Sequence, residues 1–189
     1  EGYQKTLSSL KINNNIPIIG ITGPPGAGKS TLLNGIIKYI LKDEEAKIGV
    51  LVVDPSSPFT HGAILGDRIR MSEHFNHPNV FIRSLASRGS LGGLSFKTIE
   101  ITDVMRAAGF DYIFIETVGI GQSEVEIAGL ADITILVLVP ESGDEVQTLK
   151  AGVMEIAGIY VVNKSDREDA DIMVKNLHAV VKENESRPI

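Results

Sequence analysis

The stretch Gly23-Pro24-Pro25-Gly26-Ala27-Gly28-Lys29-Ser30-Thr31 constrains this chain more than any other. Two glycines, Gly23 and Gly28, are followed by Lys and Ser, between the apolar run Pro17 to Thr22 and a helical repeat that opens at Lys29. That is the pattern of a loop that cradles phosphate between a strand and a helix. Polyphosphate needs many donors at once, and glycines let the backbone curl until successive N–H groups point inward, backed by a helix N-terminus. Lys29 is the point charge for the β- and γ-phosphates. The Ser30 hydroxyl is placed to ligate a bridging Mg²⁺, and Thr31 to touch the α-phosphate. The bland alternative is a glycine turn that happens to carry Lys-Ser, and the flanking strand and helix patterns argue against it.

Such a loop predicts an α/β chain, and the remaining residues read that way. Leu32, Leu33, Ile36, Ile37, Ile40 and Leu41 recur on one face of a helix from Lys29 to Lys42. Short apolar runs at Ile48 to Val53, Asn79 to Leu85, Asp111 to Glu116, Ile133 to Val139 and Gly158 to Val162 have the length and composition of buried parallel strands. Between them, Ser95 to Ala108 reads as a helix with Ile99, Val104 and Met105 toward the sheet, ended by Gly109. Arg167 to Lys182 reads as a last helix with Ile172, Met173, Leu177, Val180 and Val181 on one face. Pro55 and Pro58 are expected to end the second strand abruptly, since proline cannot extend a ladder. Alternating strands and helices predict a mostly parallel sheet with helices on both faces, a three-layer α/β/α P-loop fold with the ligand across the C-terminal edge.

Composition closes off other classes. In 189 residues the net charge is −6, which argues against a nucleic-acid or membrane surface, and the absence of cysteine excludes disulfides and thiolate metal sites. No apolar segment approaches the roughly 20 residues that span a bilayer, and no signal-peptide core opens the chain, so the protein reads as soluble. His74 and His77 could present two imidazoles, but Pro78 follows and no further ligands stand nearby, so they read as surface histidines.

Several strand ends carry chemistry. Asp54 is a carboxylate at the C-terminal edge of the second strand, although Asp-Pro-Ser is also ordinary turn chemistry. Asp67 is a second acid near a metal or a solvated loop charge. The glycine-rich stretch Ser87 to Gly93, around Arg88, is a functional loop or a plain connection. The fourth strand runs into Glu116-Thr117-Val118-Gly119, where an acid can face Mg²⁺ and the Gly119 N–H can approach a phosphate oxygen. The sixth strand delivers Asn163-Lys164-Ser165-Asp166 to the same edge. An Asp there accepts both the ring N–H and the exocyclic amine of guanine, while Asn163 fixes the loop and the Lys164 stem covers the base. The nucleotide expected is therefore GTP or GDP with Mg²⁺.

With Asp54-Pro-Ser-Ser-Pro58, Ile64 to Met71, Arg88 to Gly93, Glu116 to Ser123 and Gly143 to Lys150 added to the phosphate loop and Asn163 to Asp166, the chain closely resembles the MeaB/ArgK group of P-loop GTPases. This MMAA-like group is related to the metallochaperone GTPases. The resemblance implies a GTPase chaperone that gates cofactor loading and protects an adenosylcobalamin-dependent acyl-CoA mutase of the methylmalonyl-CoA type. It implies that Asp54 and Asp67 form an acidic pair near Mg²⁺, with residues 55 to 71 as switch I and Glu116 to Ser123 as switch II. Pro140 to Lys150 would be a third switch, through which Gln147 and Lys150 communicate with the mutase. Location would be cytoplasmic, or the mitochondrial matrix for eukaryotic relatives. Against that family, residues 1–15 read as a lead-in and 16–189 as the GTPase domain without the C-terminal dimerisation arm. The homodimer expected of full-length members is thus in question for this chain.

By this reading Lys29, Asp54, Asp67 and Glu116 are the catalytic set, and Ser30, Asp54, Asp67 and Glu116 the metal set. Water attacks the γ-phosphorus in line, with positioning and electrostatics supplying the acceleration. Arg70 and Arg88 are weak candidates for an activating cation, which predicts slow intrinsic hydrolysis. Two other readings stay in view. One is a nickel- or cobalt-insertion GTPase, opposed by the lack of cysteine and of a histidine cluster. The other is an ATP-dependent kinase linked to basic amino-acid transport, opposed by Asn163 to Asp166.

Overall fold

In a computed structural model the described residues are 9–55, 71–87, 96–117, 127, 129–142 and 153–185. Six strands form one sheet: β1 Ile18–Thr22, β2 Ile48–Pro55, β3 Val80–Ser87, β4 Tyr112–Thr117, β5 Ile133–Leu138 and β6 Ile159–Val162. Their order is β3-β2-β4-β1-β5-β6, and every pairing is parallel. The α-helices are α1 Lys29–Ile40, α2 Phe96–Ala107, α3 Val153–Ile156 and α4 Ala170–Glu185. The expected parallel α/β architecture is borne out.

Alternation of side chains along each strand builds two cores. On one face Ile21, Val50, Val52, Phe114, Ile135 and Val137 pack under Leu33 and Ile37 of α1. Each of those two α1 side chains is fully buried and contributes about 1.5–3 kcal/mol. On the other face Ile18, Leu51, Val53, Ile113 and Ile115 pack with Met105 of α2, while Leu136 and Leu138 pack with Met154 of α3 and with Met173 and Leu177 of α4. The connection from β1 leads toward β2 on one side of the sheet and that from β5 leads to β6 on the other. The crevice where their directions diverge, between β1 and β5, is where an open α/β sheet binds ligands.

Four local expectations need correction. Strand β2 continues through Pro55, which pairs with Ser87. Pairing with β4 stops at Val53, so by Pro55 only one neighbour remains, and proline is tolerated at such an edge. In α2 the buried face is Thr98, Thr102 and Met105, whereas Ile99 and Val104 are both 42% exposed. The Thr102 hydroxyl donates to the Thr98 carbonyl at 2.7 Å, which lets a polar side chain stand where an aliphatic was expected. Ile172 of α4 is exposed, because the packed stripe runs Ala170, Met173, Leu177 and residue 172 lies about 100° off it. His74, in a 3₁₀ turn at Ser72–His74, is buried rather than on the surface, and burial pushes its imidazole below the usual histidine range. Beside it, Glu73 pairs with Lys38 and with the Asn34 amide of α1. Among the described residues, no helix is long and apolar enough to cross a membrane.

Candidate nucleotide site

The loop between β1 and α1 is shaped by its glycines. Gly23 has φ 140°, and a Cβ on it would lie 2.0 Å from the Val137 carbonyl oxygen of β5, so no side chain fits there. Gly28, at φ 89°, caps α1 in a left-handed conformation, and a Cβ on it would strike the Asn163 amide. Gly26 is also left-handed but faces open space. Pro25 and Gly26 are exposed at the tip, while Pro24 and Ala27 are buried beneath it. The Ala27 N–H donates to the Pro24 carbonyl at 3.2 Å, and the Leu32 N–H to Gly28 at 2.9 Å starts the helix.

Lys29, the first residue of α1, is 6% exposed and folds its ammonium back over the loop. Nζ donates to the carbonyls of Gly23 at 2.7 Å and Pro24 at 3.0 Å. A buried cation spanning the loop in this way is positioned to exchange carbonyl partners for phosphate oxygens. One residue on, the Ser30 hydroxyl donates to Oε1 of Glu116 at 2.6 Å, and both side chains are buried. A hydroxyl oxygen and a carboxylate oxygen side by side at the C-terminal end of β4 are the hard donors that Mg²⁺ takes, so these residues fit that ion. Just beyond, the hydroxyls of Thr22 and Thr117, both 0% exposed, are bonded at 3.0 Å. Thr31 is exposed on α1.

The segment after β6 closes on the same loop. The Asn163 amide donates to the Ala27 carbonyl at 2.8 Å, and Lys164 Nζ donates to the Gly26 carbonyl at 2.8 Å. Lys164 itself has φ 56°, which turns the chain sharply enough for the Arg167 N–H to reach the Lys164 carbonyl at 3.1 Å. Asp166 is exposed beside this turn. Arg167 pairs with Glu141 in the 3₁₀ turn Pro140–Ser142 that follows β5. The backbone N–H of Glu141 itself, together with Arg167, holds that carboxyl below the usual range.

Of the residues predicted from the sequence, Gly23 to Ser30, Glu116, Asn163 and Lys164 gather at the C-terminal edge around one loop, while Thr31 and Asp166 are exposed next to them in the chain. The backbone of Asp54 belongs to the same edge, one residue past the Val53–Thr117 pair. Asp67, Gly119, Arg70, Arg88, Gln147 and Lys150 lie outside the described residues. Three features went unread in the sequence: the Thr22–Thr117 bond, the Glu141–Arg167 pair and the burial of His74. Thr22 and Thr117 each adjoin a motif residue, Gly23 and Glu116, but only the β1–β4 pairing makes them neighbours.

Sheet order, loop and flanking helix define the class of this chain, an α/β P-loop nucleotide-binding domain. The family model for the methylmalonyl Co-A mutase-associated GTPase MeaB matches residues 7–188, and the chain belongs to that family. A Pyrococcus horikoshii protein carried under a provisional GTPase name is 60% identical over 161 residues, which take in 85% of this chain and 50% of the relative. The mouse methylmalonic aciduria type A homolog, mitochondrial, is 43% identical over 148 residues, or 78% of this chain and 35% of that protein. The crystal structure of a LAO/AO transport system kinase superposes with a TM-score of 0.65 at 28% identity, covering 94% of this chain and 51% of that one. This chain spans about half the length of the P. horikoshii relative and of the kinase.

Proposed function

We propose that this chain binds GTP and GDP with Mg²⁺, hydrolyses GTP to GDP and phosphate, and serves as the nucleotide-driven part of a chaperone for an adenosylcobalamin-dependent acyl-CoA mutase. The observation that carries the nucleotide reading is the pair of hydrogen bonds that Asn163 and Lys164 donate to the carbonyls of Ala27 and Gly26. It joins a segment with guanine-reading chemistry to a segment with phosphate-binding chemistry. Lys29 then neutralises charge on the β- and γ-phosphates, and Asp166 accepts from the guanine edge. Ser30 and Glu116, with Asp54 and Asp67, would hold Mg²⁺, which when bound would supply positive charge to the phosphates. Gly119 donates its N–H to the γ-phosphate.

The client reading rests on the family's description as mutase-associated and on the mouse relative's name. With it go an association with a methylmalonyl-CoA mutase-like enzyme through residues 140–150, and a location in the cytoplasm or, for a eukaryotic chain, the mitochondrial matrix. The LAO/AO relative is named a transport system kinase. A kinase would favour adenine, and the Asn163 to Asp166 segment argues for guanine instead.

Calorimetric titration with GDP and with ADP in Mg²⁺ buffer tests the nucleotide reading. Binding of GDP with ADP weaker by about a hundredfold or more supports it, since a site built to hydrogen-bond one base rejects another that leaves its groups unpaired. Equal binding of the two overturns it. Co-purification with a methylmalonyl-CoA mutase that depends on the nucleotide state tests the client; no association in either state refutes that part.

A further inference from the structure

On the face of the sheet that packs against α2, Ile18 on β1, Ile113 and Ile115 on β4 and Leu51 and Val53 on β2 are apolar, and β5 adds a buried threonine, Thr134, beside Gly20. The last row carries two more hydroxyls. Val53 pairs with Thr117, and Thr22 pairs with Leu136 on its other side, so two hydroxyls stand between two aliphatics. Both are fully buried, and the Thr117 O–H donates to Thr22 Oγ1 at 3.0 Å. Replacing both partners of a buried hydrogen bond with apolar groups of the same shape is nearly neutral for folding, so two valines would serve the core as well. What valines would lose is direction.

The position of the bond says what direction is for. One residue beyond Thr22 the chain becomes Gly23, whose carbonyl holds Lys29. One residue before Thr117 is Glu116, which holds Ser30. One residue beyond Val53 is Asp54. Among the described residues, the hydroxyl pair is therefore the last side-chain tie between β1 and β4 before the phosphate loop begins.

We propose that Thr22 and Thr117 are positioning residues: their hydroxyl bond locks the phosphate loop to the Glu116 segment at the spacing that the triphosphate state needs. The proposal rests on the nucleotide reading above. Diphosphate binding, made mainly by the loop itself, should be insensitive to this tie, whereas hydrolysis, which needs the loop and the Glu116 segment together, should depend on it.

The test uses the full chain in single-turnover GTP hydrolysis and GDP titration, comparing wild type with T22V, T117V and T22V/T117V. The expected result is a hydrolysis rate lower by about tenfold to a hundredfold, the scale of a small misplacement, with GDP affinity within about twofold. The two single variants and the double should be similar rather than multiplicative, because either change breaks the one bond. A second comparison covers failure of the valine variants to fold. T117S keeps the hydroxyl and T117A removes it, so the rate should drop about tenfold from Ser to Ala. Wild-type hydrolysis with an unaltered rate in the double variant overturns the proposal, as does equality of T117S and T117A. Absence of guanine-nucleotide binding by the wild type overturns the nucleotide reading itself, and the inference with it.

Discussion

The two ends of the candidate site are built differently. At the phosphate end, Lys29, Ser30, Glu116, Thr22 and Thr117 are all buried and bonded to one another or to the loop. At the base end, Ser165, Asp166 and Arg167 are exposed, and the segment hangs from the edge strand β6 by Asn163 and Lys164. Burial lowers the local dielectric and raises the worth of each charge. The phosphate end is thus suited to supply affinity and the base end to supply selection, with the two amide and ammonium bonds to Gly26 and Ala27 joining them.

Four substitutions can break or sharpen that contrast. The largest effect is expected for Lys29→Ala, which removes a buried, hydrogen-bonded charge from the loop. GDP affinity by calorimetry should fall by about 2–5 kcal/mol, the usual cost of truncating such a group. Unchanged affinity would remove the phosphate end from the site. Asp166→Asn comes next. It should cost about 1.5–3 kcal/mol of GDP binding, the worth of hydrogen bonds to a charged group, while leaving ADP binding as it was. A parallel loss for both nucleotides would deny Asp166 its role in base selection.

Asn163→Ala tests the junction. It removes one bond to the Ala27 carbonyl, and GDP affinity should fall by about 0.5–1.5 kcal/mol. A loss as large as that for Lys29 would mean that the two ends are not separable. Smallest is Arg167→Ala, because Arg167 and Glu141 leave 47% and 53% of their side chains in water. Such exposed pairs contribute little because water screens them, and denaturant titration should show little change. A large destabilisation would mark this pair as part of the base end's framework.

Much of this site was legible in the sequence because its chemistry is local. Gly28-Lys29-Ser30 is contiguous, and a glycine with positive φ before a helix has a sequence signature. Glu116 and Asn163 were legible as strand ends, since a short apolar run closed by a polar residue marks where a chain leaves a sheet. The differences had both local and distant causes. The hydrophobicity of Ile99 argues for an inward side chain, yet Thr98 and Thr102 take the inner face, where the Thr102 hydroxyl is satisfied by the Thr98 carbonyl of its own helix. Pro55 was expected to stop β2, yet the strand continues because β4 has already ended beside it.

From local pattern alone, then, came the alternation of strands and helices, the phosphate loop, the acid at the end of β4 and the segment that adjoins Asp166. Period, length and turn chemistry act within a few residues, and the sequence carries them directly. Only the tertiary structure decided that β4 lies between β2 and β1, which makes Thr22 and Thr117 partners. It also decided that Asn163 reaches across 136 residues to Ala27. Strand order is a choice among pairings of similar local quality, settled by which helices can cover both faces at once, and no short window of sequence contains that competition.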